Sequence, residues 1–322
     1  CFLRANAGRA ATMNLSRHHW LGLYLRGVAM GAADLVPGVS GGTIALITGI
    51  YDRFITAIAS VGFDALRMLL SGKIKDAWAY VDGNFLVAVG AGILSSVVLL
   101  PSLLNWLLLN YALPLWALFC GLILASAIYL FYKSRIDWTG RDYALWLTGV
   151  GVATVVGLMQ ATQLPVSNTS IFFAGAVAIS AMLLPGISGS FLLLILGMYH
   201  PVIRALANFD LTTVGIFVLG CLFGLLVFSR ALKALLARAK RATSATLYGF
   251  LLGSVIMLWP WQQPELSVID RQGDNRVVHS VPVLPQTYAE FIGEPMLWLC
   301  LGTFTLGMGL VVLLLSVGSV EH

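Results

Sequence analysis

Leu35-Val36-Pro37-Gly38-Val39-Ser40-Gly41-Gly42-Thr43 runs on through Gly49-Ile50-Tyr51 to Ile55. Leu183-Leu184-Pro185-Gly186-Ile187-Ser188-Gly189-Ser190 runs on through Gly197-Met198-Tyr199 to Ile203, 148 residues later. At that single offset 10 of 21 positions are identical. Apolar matches arise easily in an apolar chain. A shared Pro-Gly-x-Ser-Gly frame with Gly-x-Tyr behind it does not, so the chain reads as a duplicated half.

The surrounding composition names the solvent. Of 322 residues, 59% are hydrophobic and 10% charged, against about 25% charged in a soluble domain. Too little polar surface remains to cover a soluble enzyme, a nucleic-acid binder or a disordered chain. No long hydrophilic block exists to form an anchored soluble domain. In a bilayer the backbone must satisfy itself, and long Leu/Val/Ala/Gly runs select helices over a barrel. The expected class is an all-α polytopic membrane protein. Cys1, Cys120, Cys221 and Cys300 are far apart, which is neither a disulfide framework nor a metal site. No cofactor is expected. The first twelve residues are polar and basic without the apolar stretch of a signal peptide, and Met13 is a candidate start.

Six segments approach the ~20 residues of a span: 85–109, 112–132, 143–161, 211–236, 243–260 and 296–318. Pro101 is a tolerable kink. Gly149, Gly151, Gly157, Gly302, Gly307 and Gly309 suit close helix approach. Four further apolar segments are too short, 20–36, 43–51, 170–184 and 191–199. They form two pairs, each interrupted by Pro37-Gly38 or Pro185-Gly186. Paired interrupted segments in two halves are the sequence mark of a transporter binding site.

Read as re-entrant hairpins, the two pairs are separated by three spans, an odd number, so the second half is inverted. The expected organisation is a cytoplasmic segment 1–19, then a first repeat 20–161 with hairpin 20–61. A second repeat 162–318 follows, with hairpin 170–206 and an external acidic loop 261–294. Charge gives an independent count. Arg4, Arg9 and Arg17 precede the first hairpin. Arg67, Lys73 and Lys75 follow it, Lys133, Arg135 and Arg141 follow the second span, and Arg230, Lys233, Arg238, Lys240 and Arg241 lie at and after the end of the fourth. The long loop carries Glu265, Asp270, Asp274, Glu290 and Glu294 against Arg271 and Arg276. By the positive-inside rule both termini are expected in the cytoplasm.

Each break precedes a half-helix whose first N–H groups lack an intrahelical partner and carry the positive dipole end. Gly41, Gly42 and Gly189 let a ligand approach, and Ser40, Thr43, Ser188 and Ser190 add hydroxyls. Two such tips would hold an anion with few charged side chains. Alternatively, Pro and Gly merely let hairpins pack while Ser caps them. Arg26 and Asp34 lack counterparts across the repeat, where Ala174 and Met182 stand. Arg26 is either a fork donor to a phosphate or a snorkelling side chain. Asp34 is either a proton-coupling site or a cap or partner of Arg53. Asp52, Arg53, His200, Arg204 and the matched Tyr51 and Tyr199 are placed at the interfaces.

The first motif, Asp34 to Thr43 with Gly49-Ile50-Tyr51, and its partner, Leu184 to Ser190 with Gly197-Met198-Tyr199, resemble the PopT family of bacterial and archaeal polyprenyl-phosphate transporters. The resemblance covers about residues 20–318 and is weakest over the acidic loop. It implies a flippase of the bacterial cytoplasmic membrane. Its cargo would be undecaprenyl phosphate returning from the outer to the inner leaflet. An uphill direction would require a proton or cation as coupling partner, with Asp34 the candidate proton site. Two other readings stay open. Integral lipid-pyrophosphate phosphatases also carry Pro-Gly-x-Ser hairpins, but their following Arg is Gly41 and Gly189 here, and every Glu lies at Glu265 or beyond. That leaves a serine nucleophile without visible activation, so no catalytic residue is expected. The third reading is a proton-coupled small-anion transporter.

Overall fold

The structure, a computed structural model, describes residues 17–36, 39–159, 164–269 and 275–318. The breaks Pro37 and Gly38, the segment before Arg17, and the side chains of the acidic residues at 265–274 lie outside what it describes.

The first broken unit consists of α1 (Arg17–Asp34), α2 (Gly41–Ile47) and α3 (Tyr51–Ser60). Next come α4 (Phe63–Leu70), α5 (Ile74–Tyr80), α6 (Gly83–Leu99), α7 (Pro101–Asn110), α8 (Ala112–Ser134) and α9 (Gly140–Leu158). The second broken unit is α10 (Asn168–Leu183), α11 (Gly189–Ile195) and α12 (Tyr199–Ala207). It leads into α13 (Leu211–Arg238) and α14 (Lys240–Gly253), which tightens into a 3-10 turn at Ser254–Leu258. Strands β1 (Gln262–Ile269) and β2 (Asn275–Pro282), then α15 (Pro285–Phe291) and α16 (Leu297–Gly318), complete the described chain.

Among the described residues three stretches are long and apolar enough to cross a bilayer: Ala112–Asp137, Leu211–Arg238 and Lys240–Leu258. The bent pairs Ile74–Tyr80 with Gly83–Leu99 (65°) and Gly189–Ile195 with Tyr199–Ala207 (108°) raise the number to five. Their outer faces expose Leu219, Phe223, Val227 and many like them, which is stable only against lipid. This is a helical, multi-pass membrane architecture.

The expected all-α class holds for the membrane part, and β1 and β2 add an antiparallel pair within the acidic loop. Three expectations change. The span at 85–109 is divided at Leu100: Pro101 lacks the N–H that would continue α6 and instead occupies the first turn of α7. The segments 43–51 and 191–199 are each broken again. Gly49 (φ 75°) and Gly197 (φ 71°) turn the chain in the left-handed region, which costs glycine nothing. Residues 63–80, taken as loop, form two short helices with Phe63, Leu66, Leu70 and Ile74 exposed.

Packing is reciprocal. α1 lies on α6, α10 on α13, α8 on α16 and α9 on α14. At the α8–α16 crossing a side chain at Gly121 would strike the Phe304 carbonyl, and one at Gly307 the Leu118 carbonyl. At the α9–α14 crossing Gly249 meets the Trp146 carbonyl and Gly149 that of Thr246. Backbones this close exclude any Cβ, the small-residue packing favoured in membranes. Of the six glycines expected at crossings, Gly149 and Gly307 are there and Gly157 faces the Met257 side chain. Gly151, Gly302 and Gly309 face open space. The main apolar core joins both halves: Leu23, Met30, Ile55, Phe85 and Ile123 pack with Leu247, Leu251 and Leu258.

Candidate functional site: two broken helices that meet

The tertiary fold brings the two breaks together. Ser40 Oγ donates to the Met182 carbonyl at 3.0 Å. The Gly186 N–H donates to Thr43 Oγ1 at 2.8 Å, and Tyr51 Oη to the Leu183 carbonyl at 2.7 Å. Ser40, Thr43, Tyr51, Gly186 and Ser188 are all buried. The Ser40 and Tyr51 bonds satisfy carbonyls that the end of α10 leaves without an intrahelical donor, and the Thr43 hydroxyl satisfies the Gly186 N–H. A side chain at Gly42 would meet the Met182 carbonyl, and one at Gly186 the Phe250 carbonyl of α14. Glycine is therefore required by close approach at both tips.

The tips differ in what holds them. At α2 the Ser40 Oγ accepts the Gly42 N–H at 3.1 Å and Asp34 Oδ1 accepts the Gly41 N–H at 2.7 Å. A carboxylate of the chain itself thus sits where an anion would bind. At α11 the counterpart of Asp34 is Met182, and Ser188 caps no backbone N–H. Its Oγ lies 2.9 Å from Ser190 Oγ. The glycine environments otherwise match: Gly41 faces Asp34 and the Met30 carbonyl, while Gly189 faces Met182 and the Ala178 carbonyl, each 148 residues on.

The remaining candidates are spread out. Arg26 lies on α1 eight residues before Asp34, ~12 Å along the axis, and makes no ion pair among the described residues. Arg53 pairs with Asp82 rather than Asp34, at 2.6 Å, and stacks 4.4 Å from the Phe85 ring centre. Asp52 pairs with Lys240 at 2.6 Å. Tyr199 packs on His200. Tyr51, expected at an interface, is 2% exposed and reaches into the second break. The matched Gly-x-Tyr in both motifs was its sequence signal, and only its direction was missing.

The second and third basic loops meet. Arg241 pairs with Asp142 at 2.9 Å and donates to the Asp137 carbonyl. Asp142 also accepts the Thr139 N–H and hydroxyl. Those Thr139 bonds first, then Arg241, hold its carboxyl below the usual range. Lys233 Nζ donates to Ser60 Oγ at 3.2 Å and Arg230 to the Val61 carbonyl at 3.1 Å. These contacts tie α13 to α3, and α2 lies on α10. Among the described residues α12 makes no comparable packing on α6.

Comparison with known proteins supplies the context. A family model described as undecaprenyl phosphate translocase-like matches residues 30–276. A polyprenyl-phosphate transporter of Vibrio cholerae serotype O1 is 37% identical over 282 residues, 87% of this chain and 91% of that protein. One of Staphylococcus aureus is 34% identical over 263 residues, 76% of this chain and 88% of that protein. Both relatives are named transporters, not enzymes. No solved structure matches the chain. By the extent of these matches the chain belongs to the undecaprenyl phosphate translocase-like family.

Proposed function

We propose that this protein carries undecaprenyl phosphate, or a related polyprenyl phosphate, from the outer to the inner leaflet of the bacterial cytoplasmic membrane, with the phosphate held where the two breaks meet. The observation that carries the reading is the buried contact of Ser40, Thr43 and Tyr51 with Met182, Gly186 and Leu183. Family membership and the names of both relatives support the cargo. A phosphate is costly to move through hydrocarbon. Hydroxyls, backbone N–H groups and helix dipoles offset that cost without many membrane cations.

In this reading Ser188, Gly189 and Ser190 receive the phosphate first, since no carboxylate stands beside them. Asp34 holds the equivalent Gly41 N–H until it is protonated. It then releases the Gly41 N–H to a ligand that also meets Ser40, Gly42 and Thr43, which couples transport to protons. Arg26 is the fork donor that draws the phosphate along α1. Pro185 and Gly186 break the second helix so that its tip can face the first.

We further read the chain as an inverted repeat of 20–161 and 162–318, both termini cytoplasmic. The glycine crossings support it, since Gly121 and Gly249, and Leu118 and Thr246, stand 128 residues apart in matching roles. The ties of Arg230, Lys233 and Lys240 to α3 and its end support a conformer closed on the basic side. Rocking of the halves then exposes the phosphate to each leaflet in turn.

The test is binding of undecaprenyl phosphate to purified protein together with leaflet-specific transport at two pH values. Ser40→Ala with Ser188→Ala, or Arg26→Ala, is expected to lose binding, and Asp34→Asn to lose the pH dependence of transport. Unchanged binding and transport in all of them would sink the site assignment. Competition by free phosphate equal to that by lipid phosphate would favour a small-anion carrier.

A further inference from the structure

A groove of about 390 Å³ lies between α9, α10, α11 and α13. Its walls are apolar apart from Ser180, whose hydroxyl is spent on the Ala176 carbonyl of its own helix at 2.7 Å. A water inside would find no free polar partner, so the groove suits hydrocarbon. Its rim residues Val177, Phe223 and Val227 are 44%, 51% and 51% exposed, so it opens on the lipid-facing surface. Its inner end is formed by Leu184 and Ile187, which bracket Pro185-Gly186. Ile187 adjoins Ser188, and Leu192, also in the wall, donates its N–H to the Ser188 carbonyl. The groove begins where the second tip ends.

We propose that this groove seats the first isoprene units of the polyprenyl phosphate; the inference rests on the reading that places its phosphate at Ser188 and Ser190. The volume is at the small end of ligand pockets, roughly 300–1,000 Å³. It takes only the start of the chain, and the open rim leaves the remainder in the bilayer. Lipid is as apolar as the groove, so seating the chain there gains nothing from the hydrophobic effect. What the groove adds is shape. Packing against branched and aromatic walls separates a methyl-branched isoprenoid from a straight acyl chain, and so selects the carrier lipid among far more abundant phospholipids.

The experiment uses the full chain in detergent with three probes: undecaprenyl phosphate, hexadecyl phosphate and inorganic phosphate. Ser180→Phe fills the groove from α10 without removing a tertiary hydrogen bond. Ala231→Phe fills it from the exposed face of α13. Wild-type protein is expected to prefer the prenyl probe over the straight-chain one by about fivefold or more, the worth of roughly ten dispersion contacts. Each variant erases that preference and leaves inorganic phosphate binding unchanged. On unaltered protein, a photoreactive group on the first isoprene unit should label α10 and α13.

No preference in the wild type, or an unchanged preference in both variants, overturns the tail seat. Equal labelling of the groove by a photoreactive phosphatidylglycerol overturns its selectivity and assigns it to bulk lipid. If Ser188→Ala with Ser190→Ala abolishes binding of all three probes while the groove variants have no effect, the phosphate site stands and the tail seat falls. If the serine variants bind normally while the groove variants lose the prenyl preference, the tail seat stands and the phosphate lies elsewhere.

Discussion

Thr43→Val changes one atom's chemistry at the junction of the two breaks. Thr43 Oγ1 accepts the Gly186 N–H at 2.8 Å, and Thr43 is 0% exposed. Valine keeps the volume and leaves that N–H without an acceptor where water cannot reach it. An orphaned buried donor costs about 1–3 kcal/mol. The loss falls on the conformer in which the tips touch, so it both lowers stability and shifts the balance toward separated tips by about 5- to 150-fold. A heat scan of purified protein should show the midpoint falling by about 2–4 °C for each kcal/mol. Thr43→Ser, which keeps the hydroxyl, should stay close to the parent. The reasoning is refuted if Thr43→Val and Thr43→Ser are equally stable, because Gly186 would then have another acceptor or the breaks would not touch.

Gly49→Ala and Gly197→Ala should each destabilise by about 1–2 kcal/mol in the same scan, since both glycines are left-handed; Gly49 faces open space, so its whole cost is backbone strain. Gly249→Ala should lower the midpoint, because its Cβ meets the Trp146 backbone, whereas Gly151→Ala, facing open space, should raise it by about 0.5–1 kcal/mol of helix stability. Asp142 has a depressed carboxyl pKa through Thr139 and Arg241. Its stabilisation is therefore full above the ordinary value of about 3.9 and lost as pH falls through the folded value. Asp142→Asn should be less stable than the parent at neutral pH, and heat scans should show the gap closing below about pH 4.

Much of the site could be read before any coordinates. The Pro-Gly-x-Ser-Gly frame announces a broken helix, because its residues act on their own backbone. The match at 148 residues announces that there are two. Composition alone placed the chain in lipid. Tyr51 was misplaced for a specific reason: a tyrosine after a glycine turn suits either an interface or a buried carbonyl, and the choice depends on a partner 132 residues away. The glycines of the spans were half legible for the same reason. Gly149 and Gly151 lie about 200° apart around one helix, on nearly opposite faces, and only the crossing helix decides which face needs the glycine. The α4–α5 helices escaped notice because each is under ten residues, too short for periodicity to separate from a loop.

What the sequence determined alone was therefore the solvent and the presence of two interrupted helical segments, set by composition and by residues acting on their own backbone. The tertiary structure decided the rest. It placed Ser40 on Met182, gave Asp34 the Gly41 N–H rather than Arg53 as its partner, and tied α13 to α3. These are choices between faces of packed helices. They depend on contacts between residues more than a hundred positions apart in several cases, and no local pattern along the chain records them.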